Sequence, residues 1–274
     1  MSGSGPSDSV CFHRPPRLSG VELVSVCYRE RSFPEHSHDE YVVGAVVGGA
    51  ELLSVAGRSH RVATGDVLQL HPDEAHANAT IGAEALRYHV LYLRDDVVRR
   101  FLDEGDDRSA LRFASPVSGD RLLFDAVLAA DATLRRDTAG RLEQETALGT
   151  LVQTLGLRSP GSADRSVGAR AFSDRIASAK AYIDACFAED FGLHDLAALS
   201  GLSVFHFTRS FKKAIGLSPL AYRNQRRIVQ ARMRLLDGQP IAQVAVELGY
   251  ADQSHLTRHF QRIVGASPRR YTQQ

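Results

Sequence analysis

With 274 residues, 43% of them hydrophobic and 24% charged, the chain holds enough apolar material for two ordinary domain cores. Its formal charge of +1 hides a division: residues 1–170 carry 19 Arg/Lys against 24 Asp/Glu, and residues 171–274 carry 14 against 8, so only the C-terminal part suits a polyanion. Three cysteines, Cys11, Cys27 and Cys186, form no CxxC pair and are odd in number, so a reducing cytoplasm is expected rather than a disulfide scaffold, and no run approaches about 20 apolar residues, so no segment is expected to span a membrane.

The opening MSGSGPSDS lacks the basic and apolar regions of a signal peptide, and residues 1–20 read as a flexible arm. From Val21 the character changes. Residues 21–26 alternate, residues 40–47 are rich in valine, and short β-type runs follow at 52–55, 61–63, 67–70 and 87–92. Gly44, Gly48-Gly49, Gly57, Gly65-Asp66 and Gly82 punctuate them. Many short strands with Gly and Asp turns predict a sandwich or small barrel.

Two patches in this region carry possible chemistry: His36-Ser37-His38-Asp39-Glu40, and residues 71–78 with His71, Glu74 and His76. In a strand, His36, His38 and Glu40 share one face, because side chains alternate. A histidine from a distant strand then completes an N/O site for a divalent metal such as zinc. Pro34-x-His36-x-His38, with Gly65-Asp66-Val67, Pro72 and His76, resembles the two short motifs of a cupin jelly-roll, as found in the sensor domains of bacterial regulators. The resemblance puts His36, His38 and His76 at metal-ligand positions, with Glu40 as a fourth. It departs from the pattern in the spacing of the acidic residue and in Glu74, where a glycine is common. Three readings stand side by side: a metal site, the polar lining of an effector pocket, and plain surface or core histidines.

After Leu93 the pattern turns helical. A short helix is expected over 97–101, an acidic loop over 103–108, and two helices near 120–128 and 142–152. Their apolar faces serve either packing on the barrel or a homodimer interface. Residues 158–170 read as a linker, where the charge changes sign.

The C-terminal part says the same thing twice. Thr208-Arg209-Ser210-Phe211 with Gly216, Ser218 and Pro219 recurs 49 residues later as Thr257-Arg258-His259-Phe260 with Gly265, Ser267 and Pro268. Ala197 and Gly201 recur 48 residues later as Ala245 and Gly249, so one extra residue falls in the second turn. Phe172, Ile176, Ala179 and Ile183 share one face of a preceding helix. In each copy a short helix, a glycine turn and a second helix follow, the latter capped by Ser203 in the first copy and started by Asp252 or Gln253 in the second. Phe207 and Phe211 point inward, leaving Phe205, His206, Thr208, Arg209 and Lys212 for the outer face.

Along about one hundred residues this pattern resembles the AraC/XylS family of transcription regulators. The resemblance runs from Ala197, Gly201, Phe207, Phe211, Gly216 and Ser218-Pro219 through Arg227 and Ala231 to Gly249-Tyr250, Phe260, Gly265, Ser267-Pro268 and Tyr271. It implies an N-terminal cupin-like jelly-roll domain over 21–157 and an all-α double helix-turn-helix domain over 171–274, with seven helices and two recognition helices in successive major-groove segments. By the family pattern Phe205, Thr208 and Arg209, then Gln253, Ser254, Thr257 and Arg258, match base- or groove-contacting positions. Lys212, Lys213, Arg223, Arg227 and Arg262 have the chemistry for phosphates. Arg227, Arg258 and Arg262 also have a purely structural reading, as do Ser203 and Ser254 as caps.

The expectation is therefore a sequence-specific regulator acting on a double-stranded DNA promoter: an activator gated by a small-molecule effector, working with RNA polymerase and not itself an enzyme. The alternative is a metal-dependent cupin enzyme with a helical appendage.

Overall fold

A computed structural model describes residues 8–102, 111–158 and 170–273, with side chains from 175 onward in the last stretch. They fall into two compact units, Met1–Ser32 with His38–Ala163, and Asp164–Gln274 with Phe33–Ser37.

The first unit is built of β1 (Ser9–His13), β2 (Val21–Tyr28), β4 (Tyr41–Gly48), β5 (Ala50–Val55), β6 (Arg58–Ala63), β7 (Val67–Leu70), β8 (His76–Ile81), β9 (Leu86–Leu93) and β10 (Val117–Ser118). Strand β3 (Ser32–His36) takes its place beside β8. Six strands form one sheet in the order β1-β2-β9-β4-β7-β10, and four form another in the order β3-β8-β5-β6. Alternation decides the faces. Leu23, Val43, Ala45, Leu91 and Leu93 join a core with Val127, Leu148, Leu151 and Val152 of two helices, α2 (Arg121–Leu134) and α3 (Arg141–Leu157). The opposite face of the same strands carries Val24, Val26, Tyr28, Val42, Val46, Tyr88, Val90 and Tyr92 toward the four-stranded sheet. Asp120 caps α2, accepting from Leu122 and Leu123 amides at 2.8 and 3.1 Å.

Three expectations change. Residues 9–13 of the arm are strand β1, paired with β2, because Val10 and Phe12 bury their side chains at 2% and 5% exposure. The short helix expected over 97–101 is α1 (Asp95–Arg99), with two acids in its first turn to complement the helix dipole. His38 and Glu40 lie past the end of β3, so strand alternation is not what places them. The acidic loop at 103–108, most of the linker and the side chain of Phe172 lie outside the described residues.

The second unit is helical: α4 (Arg170–Cys186), α5 (Leu193–Leu199), α6 (Val204–Ile215), α7 (Pro219–Leu236), α8 (Ile241–Glu247), α9 (Gln253–Val264) and α10 (Pro268–Thr272). Ile176, Ala179, Ile183, Phe207, Phe211, Tyr222 and Ile228 are buried in its first half, and Val244, Ala245, Leu248, Leu256, Phe260 and Tyr271 in its second. No described helix is long and apolar enough to cross a membrane.

Candidate nucleic-acid interface and effector site

Helices α6 and α9 are built by the same local chemistry. Ser203 accepts the His206 amide at 3.4 Å and Asp252 accepts the His255 amide at 2.7 Å, satisfying a donor left open at each helix start. Gly216 (φ 85) and Gly265 (φ 82) end the helices in left-handed backbone and donate to the carbonyls of Lys212 and Gln261. The preceding turns also match: Leu202 donates to Ala197 O and Tyr250 to Ala245 O, across Gly201 (φ 60) and Gly249 (φ 74). The second turn holds the extra residue. Four residues separate α5 from α6, and five separate α8 from α9.

The outward faces differ. On α6, Phe205 (65% exposed), His206, Arg209, Lys212 and Lys213 are exposed, while Thr208 is half-buried and donates its hydroxyl to Val204 O at 2.8 Å. The Arg209 guanidinium lies over the Phe205 ring at 5.5 Å. On α9, Gln253, Ser254, Arg258 and Arg262 are exposed and Thr257 is half-buried. Ser254 is not the cap; Asp252 is.

Arg223, expected at a phosphate, and Arg227, given a phosphate and a structural reading, are both turned inward. Arg227 is buried and donates to Phe187 O at 2.7 Å, Gly249 O at 2.9 Å and Ala188 O at 3.4 Å. Arg223 donates to Phe187 O at 3.1 Å and to Glu189 O, with its guanidinium 4.4 Å over Phe191. Both satisfy carbonyls after α4, a fixed-fork task that suits arginine. Spacing in the sequence gives no sign of it.

His36, His38 and His76 come together, with ligating nitrogens within 4.8 Å of one another; Glu40 is not in the group. His36 and His76 are buried. The Nδ1 of His36 meets Pro34 O at 2.7 Å and that of His76 meets Glu74 O at 2.9 Å. Each ring therefore donates Nδ1–H to a carbonyl and keeps its lone pair on Nε2, the arrangement that orients an imidazole toward a ligand. Asp73, itself in left-handed backbone (φ 61), donates its amide to His38 O at 2.7 Å and ties the two sequence patches together. The ring of Tyr92 stands edge-on to His38 at 5.1 Å.

A cavity of about 440 Å³ in the first unit is lined by Arg58, His60, Gln69, His71, Glu74 and Phe113 among others. His71 accepts the Phe113 amide at Nε2 (3.0 Å) and donates Nδ1–H to Glu74 (3.1 Å). Burial pushes the Glu74 carboxyl up, but the hydrogen bonds from the His71 ring and the His71 amide outweigh it and hold the group below its ordinary value. Sequence reading missed this cavity, since Phe113 reaches it from 42 residues away. On the helix-facing side, Ser25 and Asp131 both meet Nδ1 of His89, at 3.1 and 2.9 Å. The ring does not bridge hydroxyl and carboxylate, so this trio is not a nucleophilic relay.

Residues 18–148 match the family model described as an AraC-like ligand binding domain, and residues 196–274 match that of a helix-turn-helix domain. The HTH-type transcriptional regulator YbfI of Bacillus subtilis, itself uncharacterised, is 28% identical over 231 residues, 82% of each chain. The HTH-type transcriptional activator RhaS of Klebsiella pneumoniae is 25% identical over 264 residues, 92% of each chain. Among solved structures, ToxT of Vibrio cholerae with an unsaturated fatty acid bound matches with a TM-score of 0.59, covering 93% of this chain and 95% of that one at 14% identity, a likeness of fold.

Proposed function

Because this chain belongs to the AraC-type transcription regulators, we propose that α6 and α9 are its two DNA-reading helices and that the β unit holds the small molecule governing them. The observation that carries this reading is the doubled frame of cap, helix and closing glycine, which presents two outward faces of unlike chemistry. An α-helix fits the major groove, where base edges distinguish all four pairs. Arg209 and Gln253 have the donors and acceptors for base edges, and Phe205 the apolar ring for a thymine methyl. His206, Thr208, Ser254, Thr257 and Arg258 complete the two faces, and Lys212, Lys213 and Arg262 meet phosphates. The matched relatives are regulators, which supports this reading over the metal-dependent enzyme.

The His36, His38 and His76 set, with one ring nitrogen of each within 4.8 Å of the others, fits a divalent ion such as zinc and leaves a position for an effector oxygen. The effector then biases arm, domain packing or dimer geometry toward promoter binding. The same reading makes the protein a cytoplasmic activator that works as a homodimer with RNA polymerase; the Klebsiella relative is itself named an activator.

The test is selection of a duplex from random sequence by the full chain, followed by titration of Phe205→Ala and Arg258→Ala on the selected site. Each is expected to lose about tenfold in specific affinity with little change on scrambled DNA. Specific affinities within twofold of the parent for both sink the assignment.

A further inference from the structure

The interior of the β unit carries a polar group that the histidine cluster does not use. Glu51 on β5 is 1% exposed. Its Oε2 accepts from Asn78 Nδ2 at 2.8 Å across the β5–β8 pair, while its Oε1 is buried with no hydrogen-bond donor among the described residues. Burial pushes this carboxyl above its ordinary value, and the hydrogen bond from Asn78 only partly offsets that.

The facing sheet supplies phenols. Tyr28 on β2 and Tyr88 and Tyr92 on β9 lie on the inward face. Glu51 shares the buried face of β5 with Leu53 and Val55. The Tyr88 hydroxyl is raised well above its usual value, first by burial and then by Glu51, Tyr28 and Tyr92. Tyr88 and Tyr92 keep partial exposure on this central strand, while Val90 between them is 1% exposed. Arg14 pairs with Glu22 at 2.8 Å, and Arg31 lies over the Tyr28 ring at 5.7 Å. Neither is hydrogen-bonded to Oε1 of Glu51.

A buried carboxylate oxygen without a donor is costly, and what it lacks defines what completes it. An anion adds like charge and is disfavoured. A neutral polyol supplies a donor but leaves the charge unpaired. An ammonium group supplies both donor and charge, and phenol faces attract it further. We infer that the interior of the β unit binds a small organic ammonium ion, its N–H directed at Oε1 of Glu51 and its body packed against Tyr28, Tyr88 and Tyr92. The inference rests on the reading of this unit as the effector domain and names the class of that effector.

The full chain is titrated calorimetrically with a panel of primary, secondary and tertiary amines, 1,4-diaminobutane among them. Matched alcohols such as 1,4-butanediol and matched carboxylates form the other arms. At least one amine is expected to bind tenfold or more tightly than its matched alcohol, to shift affinity for the selected duplex, and to lose tenfold or more with Glu51→Gln. If alcohols or carboxylates bind as well or better, with Glu51→Gln indifferent and His38→Ala harmful, the ammonium assignment is overturned and the effector reading stands. If no compound of any class binds or moves DNA affinity, the effector reading fails and takes this inference with it. Should Glu51→Gln not fold by circular dichroism, the amine-to-alcohol ratio on the unaltered chain decides alone.

Discussion

In the first helix-turn-helix copy Gly201 turns the chain at φ 60 with open space around it; in the second, Gly249 makes the same turn at φ 74 hard against the Ala188 carbonyl and the Arg227 guanidinium. The backbone is repeated, but the surroundings are not. Arg227 holds the second turn by its bond to Gly249 O and reaches back to the residues after α4, and the first turn has no corresponding brace among the described residues. Each copy thus keeps the frame that a helix-turn-helix needs, while burial and charge around it have diverged. The outward faces diverge in the same way, Phe205 and His206 against Gln253 and Ser254.

Paired substitutions sharpen the contrast. The largest difference is expected between Gly249→Ala and Gly201→Ala. Both place a Cβ in left-handed backbone, which costs about 1 kcal/mol by itself. At Gly249 the new atom also falls on backbone and a buried guanidinium, for a total of about 3 kcal/mol or more. Thermal melting reads the gap; equal losses at the two sites break the claim that only the second turn is braced.

Next come the caps. Asp252→Ala removes a carboxylate at 2.7 Å from an amide at a helix start, and Ser203→Ala removes a hydroxyl at 3.4 Å. Losses of about 1.5 and about 0.5 kcal/mol are expected, since charge at the N-terminus adds to the hydrogen bond. Urea unfolding that ranks them in the reverse order contradicts this.

The smallest effect separates the copies by pH. His259 on α9 stands where α6 has Ser210, 49 residues earlier. Partial burial lowers the pKa of His259, helped by His255, Arg262, Arg258 and Arg227, and Tyr250 packs against its ring. As pH falls below about 6.5 the unfolded chain takes up this proton before the folded one, so the folded state loses stability there; above that range the group contributes no slope. His259→Ser is expected to flatten the fall in melting temperature between pH 7 and pH 5. An unchanged slope removes His259 from the account.

Much of the second unit was legible because its signals are local. A capping side chain, a glycine past a helix end and a Ser-Pro before the next helix act within a few residues, so repetition in sequence became repetition in backbone. The β unit was legible as a class, from alternation and turn residues, but not in detail. Strand β1 rests on pairing with β2, a long-range contact that the Gly, Ser and Pro of residues 1–20 do not reveal. His36, His38 and His76 do meet, though not by strand alternation: His38 follows the strand end and is tied by Asp73, while the order β3-β8 brings His76 beside it. Glu40, two residues on, stays outside the group.

The sequence by itself determined a β unit followed by a doubled helical reader, because hydrophobic period, caps and turns are short-range and survive in a linear reading. Tertiary structure alone decided which polar groups are spent and which remain in play. Arg223 and Arg227, basic in any linear count, turn inward to carbonyls, and Glu51, one acid among many, ends between two sheets with one oxygen lacking a donor. Both outcomes depend on which segments, tens of residues apart, close over a charge and remove it from water.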